Sequence, residues 1–100
     1  MLIADIIKLA ESDFSECLET LRKKGNDYAA EIDGLSNFKY SGDFAGVTQE
    51  QSCKVLIGTK LARLRELTNN PNKVVANESV NDTIKDLINY LILWKSIRNE

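Results

Sequence analysis

The stretch that most constrains this chain runs from Glu78 to Arg98, where two patterns share one helix. At about 100° per residue, Val80, Ile84, Leu87, Leu91 and Trp94 fall on one stripe, the spacing of a helix with a buried face. On the opposite side Glu78, Asp82 and Asp86 recur at every fourth residue, and Asn89 continues the line. Like charges four apart destabilise a helix by about 0.2–0.5 kcal/mol per pair, so the row is either tolerated by solvent or compensated by a cation. Glu78 and Asp82 also suit the first turn, where the helix dipole favours anions; Asp86 lies too far along for that. Ile88, Ile92 and Leu93 spread apolar character round most of the C-terminal half. One layer of neighbours would not cover it, which predicts a second subunit.

Two more helices follow from periodicity. Ile3, Ile6, Ile7, Ala10, Phe14, Cys17, Leu18 and Leu21 keep helical spacing between Leu2 and Lys24, with Asp5, Glu16 and Glu19 on the other side. Gly25 can supply a left-handed cap, and Arg22, Lys23 and Lys24 are either a solvated helix end or an anion contact. Thr48 with Gln51 reads as a capping box, starting a helix that Asn69, Asn70 and Pro71 end, with Leu56, Ile57, Leu61, Leu64 and Leu67 as its apolar side. Asn77 or Ser79 is the expected N-cap of the last helix. The expectation is one all-α domain over residues 1–100, with main helices over 2–24, 48–68 and 79–98, assembled as an oligomer.

Between Gly25 and Val47 the glycines Gly25, Gly34, Gly42 and Gly46 break any long period, leaving a long connection with at most a short helix over Asp27 to Ile32. Long connections in compact domains are often functional. Tyr28, Phe38, Tyr40 and Phe44 fall inside it, and they either plug the core or wall a pocket that stacks on a planar ligand.

Totals exclude several classes. A net charge of −2 argues against an extended nucleic-acid surface, though a small basic pocket is compatible with it. No apolar run approaches a membrane span, and acidic Asp5 and Glu11 stand where a signal peptide needs a basic start, so a cytoplasmic protein is expected. Histidine is absent, which removes imidazole acid–base chemistry and His-containing zinc sites. Cys17 and Cys53 read as small buried apolar residues.

Lys60 falls near the middle of the apolar side of the second main helix, with Arg63 at its edge. An ammonium taken from water is unfavourable unless it snorkels or meets an anion. The intramolecular anions on offer are the carboxylates of the last helix.

With these residues placed, the series Lys24-x-x-Asp27-Tyr28, Asn37-Phe38, Gly46-Val47-Thr48, Lys60-x-x-Arg63-Leu64 and Glu78-Ser79-x-x-Asp82-Thr83-x-x-Asp86-Leu87-x-x-Tyr90 resembles the nucleotide modification associated domain family of small phage and bacterial proteins. That family is loosely similar to the MazG-type all-α nucleotide pyrophosphohydrolases. The resemblance covers most of the chain from Lys24 to Trp94. It implies an all-α fold, oligomerisation, a phage origin, a place in the host cytoplasm and a nucleotide-like ligand. By position, Lys24, Asp27, Tyr28, Lys60, Arg63, Glu78, Asp82 and Asp86 would line its site. The chain departs from the MazG pattern in one respect: its second main helix offers Lys60, Arg63 and a lone Glu66 where those enzymes hold magnesium with acidic residues from two helices.

Three functions are consistent with this reading. In the first, Lys60, Arg63 and Lys24 hold the phosphates of a nucleotide or nucleotide-derived signal, such as a cyclic nucleotide. Tyr28 or another loop aromatic takes the base, Asp82 and Asp86 orient the cations or accept hydrogen bonds from ribose or base, and the protein acts against host defence by sequestration, without a cofactor. In the second, Glu78, Asp82 and Asp86 bind Mg2+ for hydrolysis of a nucleoside triphosphate. In the third the chain is a non-catalytic interaction protein and the acidic row is solvated.

Overall fold

The computed structural model describes residues 1–27, 33–70 and 76–100, with side chains for all of these except 25–27 and 76–79. They form four helices, α1 (Ile3–Asp27), α2 (Ser36–Ala45), α3 (Gln49–Asn69) and α4 (Ala76–Arg98), and no strand. The all-helical class therefore stands. Two compact units divide the chain, Met1–Ile32 with α1 and Asp33–Glu100 with α2, α3 and α4. Among the described residues no helix is long and apolar enough to cross a membrane.

The count of helices differs from the three expected, because the long connection contains α2. Its glycines read as breakers from sequence, yet Gly42 lies buried inside the helix and Gly46 ends it at φ 72°. A Cβ on Gly42 would stand 2.9 Å from the Val47 carbonyl oxygen, 3.1 Å from the Thr48 carbonyl carbon and 3.2 Å from the Gln49 nitrogen. Glycine is used there for close approach of backbone to backbone, and at Gly46 for the left-handed turn that closes the helix. The short helix expected over Asp27 to Ile32 lies outside the described residues, apart from Asp27 at the end of α1. Gly25 does not cap: α1 runs through it to Asp27.

Thr48 caps α3 through a reciprocal box. The Gln51 N–H donates to Thr48 Oγ1 at 3.1 Å, and the Thr48 N–H donates to Gln51 Oε1 at 2.9 Å. Two of the donors that every helix start leaves unpaired are satisfied this way. At the other end α4 begins at Ala76, so Asn77 and Ser79 lie within its first turn and neither is its N-cap.

The core of the second unit is built from Leu35, Phe38, Cys53, Ile57 and Ile97, with Leu87, Tyr90, Leu93 and Trp94 packed against it. Helices α3 and α4 run antiparallel: the start of α3 meets the end of α4 through Glu50 and Trp94, and Cys53 Sγ donates to the Tyr90 carbonyl at 3.8 Å. Along α4 the inward line is Thr83, Leu87, Tyr90, Trp94 and Ile97. Ile84 and Leu91, both on the expected buried stripe, are exposed. Periodicity could not select between these lines, because α4 is apolar almost all round and the position of α3 decides which side is covered. On α3 Leu56 and Leu61 are likewise exposed, and Cys53 takes the deepest place.

In the first unit Cys17 is buried, whereas Ile3, Ile6, Ile7, Phe14 and Leu18 of the expected apolar face are exposed. Both cysteines are free thiols.

Candidate functional site

Helix α3 carries Lys60 on its inward side, one turn beyond buried Ile57 and one before half-buried Leu64. Its ammonium does not simply run out to water. Lys60 Nζ donates to Asp86 Oδ2 of α4 at 3.0 Å, with side-chain exposures of 30% and 44%. An ion pair this open contributes only about 0–1 kcal/mol to stability. An ammonium has three donors, and among the described residues Asp86 is the acceptor that Lys60 meets.

The other predicted residues are distributed unevenly. Asp82 stands one turn before Asp86 on the same face of α4 and is exposed; Arg63 follows Lys60 by three residues on α3 and is exposed. Lys24 is exposed near the end of α1 in the first unit. Tyr28 and the side chains of Asp27 and Glu78 lie outside the described residues. The fold thus brings together Lys60 and Asp86, with Asp82 and Arg63 a turn away on either helix. Of the connection's other aromatics, Phe38 is a core plug at 5% exposure, whereas Tyr40 and Phe44 stand out from α2 at 75% and 85%.

Magnesium suits this donor set poorly. It requires a near-octahedral set of oxygens with waters and phosphates, and here the Asp86 carboxylate already faces an ammonium, leaving Asp82 as the other described member of the row. Among the described residues no three acidic or thiol side chains converge.

No family model, curated protein or solved structure matches the chain. What the site does must be read from its own chemistry.

Sequence reasoning missed two polar clusters at the far end of the same unit. Glu50 Oε1 accepts from Trp94 Nε1 at 2.9 Å and from Arg98 Nη1 at 2.7 Å, while Lys54 Nζ lies 5.2 Å over the Trp94 ring. Lys39 reaches Asp33 and, at 2.8 Å, Glu100 Oε1, whose other oxygen accepts from Gln49 Nε2 at 3.0 Å. Apart from Asp33 and Lys39, six residues from each other, their partners lie forty or more residues apart in the chain, so spacing gives no sign of them. Contacts with Trp94 and Arg98 hold the Glu50 carboxyl below its ordinary range; those with Lys39 do the same for Glu100 and Asp33, and Lys39 in turn is raised. A carboxylate depressed by folding contributes stability above its unfolded pKa and loses it as pH falls through the folded one, while a raised lysine loses its contribution as pH rises through the folded value. Burial pushes the Cys53 thiol up as well, so stability also falls as pH rises past the ordinary thiol range; thermal midpoints measured across pH should therefore be level from about 5 to about 8 and fall on both sides. Glu50→Gln should flatten the acid limb.

Asn89, which continues the acidic row in sequence, is buried, and its Oδ1 has no hydrogen-bond partner among the described residues.

Proposed function

We propose that this chain is a nucleotide-binding module related to the nucleotide modification associated domain family that its motifs resemble. It would hold a nucleotide-derived signal and act by sequestering it. The observation that carries the reading is the Lys60 ammonium at the partly open α3–α4 seam, fixed 3.0 Å from Asp86 and with donors left for an anion. Asp86 holds the cation at the seam, so an incoming phosphate meets a placed charge instead of a freely moving one. Arg63, a turn further along α3, offers a bidentate fork to a second phosphate oxygen. Recognition by these groups is electrostatic and needs no bond to be broken, which suits a sequestering protein.

Thermal shift and calorimetry against mono-, di- and cyclic nucleotides test this. The unsubstituted chain should be stabilised by at least one of them, and Lys60→Ala should weaken that ligand about 10–100-fold, the loss of one charge-assisted hydrogen bond. If no nucleotide stabilises the protein, and Lys60→Ala behaves like the parent, the proposal is wrong.

A second reading, a non-catalytic interaction protein that assembles with itself, is favoured by the exposed apolar side chains on α1 and by Tyr40 and Phe44 one turn apart on α2. Large apolar surface rimmed by charge marks association sites. Light scattering on the nucleotide-free protein tests it: the interaction reading requires an oligomer there, and a monomer overturns it.

A further inference from the structure

Two buried side-chain oxygens of the second unit, Gln49 Oε1 and Asn89 Oδ1, have no hydrogen-bond partner among the described residues, and the second lies on the helix that carries Asp86. Asn89 is 9% exposed, and among the described residues its Oδ1 is without a partner. A buried amide oxygen that has given up water and found no donor is unfavourable, more so than an apolar side chain of the same size would be. A donor from outside the chain would remove that penalty.

Position shows where such a donor would sit. Asn89 lies three residues beyond Asp86, a spacing that makes neighbours on one helix face, roughly 4.5 Å apart along the axis. Asp82, Asp86 and Asn89 share that side of α4, and Lys60 reaches it from α3 to pair with Asp86. The cation therefore stands one turn from an acceptor that lacks a hydrogen. A bare phosphate is held through the Lys60 donors alone and carries no N–H to offer the Asn89 oxygen. A nucleotide satisfies both: its phosphate takes the Lys60 donors, and an N–H of its base reaches the amide.

We propose that Asn89 Oδ1 is the base-reading acceptor of this site, receiving a hydrogen bond from a ring or exocyclic N–H of a nucleobase whose phosphate is held by Lys60. This rests on the nucleotide-binding reading and adds which part of the ligand is recognised and by which atom. It makes the site selective for nucleotides over simple phosphates, and it places that selectivity on a neutral residue.

Calorimetry on the parent chain, Lys60→Ala, Asn89→Leu and Asn89→Ala tests it, with the 5′ and 3′,5′-cyclic monophosphates of adenosine, guanosine, cytidine and uridine and with inorganic phosphate. The parent should bind at least one nucleotide about tenfold or more tighter than phosphate, and Asn89→Leu should remove that margin while leaving phosphate affinity unchanged. Asn89→Leu should also raise the thermal midpoint of the ligand-free protein, since an unpaired amide has been replaced by hydrocarbon. If leucine overpacks and lowers the midpoint, the smaller Asn89→Ala carries the same binding test. Nucleotide affinity equal to the parent's in both Asn89 variants overturns the proposal. In that outcome a loss confined to Lys60→Ala leaves the nucleotide-binding reading standing. Absence of nucleotide binding by the parent overturns both.

Discussion

Gly42→Ala is expected to lower the thermal midpoint sharply, although alanine is the better helix former. The gain in helix propensity is about 1 kcal/mol. Against it stands a methyl group driven to 2.9 Å from the Val47 carbonyl oxygen and to 3.1 and 3.2 Å from the backbone of Thr48 and Gln49. Those neighbours are main-chain atoms, so no rotamer change relieves the contact; the α2–α3 turn must move, and the capping box at Thr48 and Gln51 moves with it. Overpacking of this kind costs about 1–3 kcal/mol, and with backbone on all sides the upper end applies. A net loss near 2 kcal/mol corresponds to a fall of about 8–16 °C for a domain of this size. Gly58→Ala supplies the opposite sign within the same helical unit. It lies within α3 with nothing within 4 Å of an added Cβ, so alanine there should stabilise by about 0.5–1 kcal/mol. Thermal unfolding followed by far-UV circular dichroism measures both. A Gly42→Ala midpoint at or above the parent's would show that the turn can open without loss.

Phe38→Ala should be more damaging. Its ring is 5% exposed and shares the core with Leu35, Cys53, Ile57 and Ile97, so it joins α2 to α3 and to the end of α4. Truncating a buried phenylalanine costs about 3–5 kcal/mol through lost burial and an unfilled cavity. Domains of this class hold only about 5–15 kcal/mol in total, so the variant should unfold at markedly lower urea concentration, with the largest disruption at the α2 contacts. Phe44→Ala, whose ring is exposed, should change stability by less than about 0.5 kcal/mol. Equal effects of the two substitutions in urea titrations would contradict the division of these aromatics into core and surface.

That division shows where sequence reading reaches its limit. Phe38 and Phe44 have the same chemistry and lie six residues apart, and nothing in their spacing says which faces inward; the placement of α2 against α3 says it. Lys60 is the contrasting case. A cation in the middle of an apolar line has few outcomes of low free energy, and pairing with a carboxylate of the last helix was one of them. Sequence offered the carboxylates of the last helix as a group, and the placement of α3 against α4 selected Asp86 among them. Asn89 carried a weaker signal, being one more polar residue on an acidic line. Its importance rests on burial without a partner, which no pattern of letters reports.

Local chemistry fixed the helical class, the start of α3 at Thr48 and its end at Asn69, because capping and periodicity depend only on residues a few positions apart. Tertiary structure decided the rest. It put one presumed breaking glycine, Gly42, inside a packed helix, rotated the inward side of α4 away from Ile84 and Leu91, and set Lys60 beside Asp86. Each of these depends on which surfaces meet, and where a helix is apolar nearly all round, or where a missing side chain matters only for what would strike it, the neighbour supplies the information and the sequence of the helix itself does not.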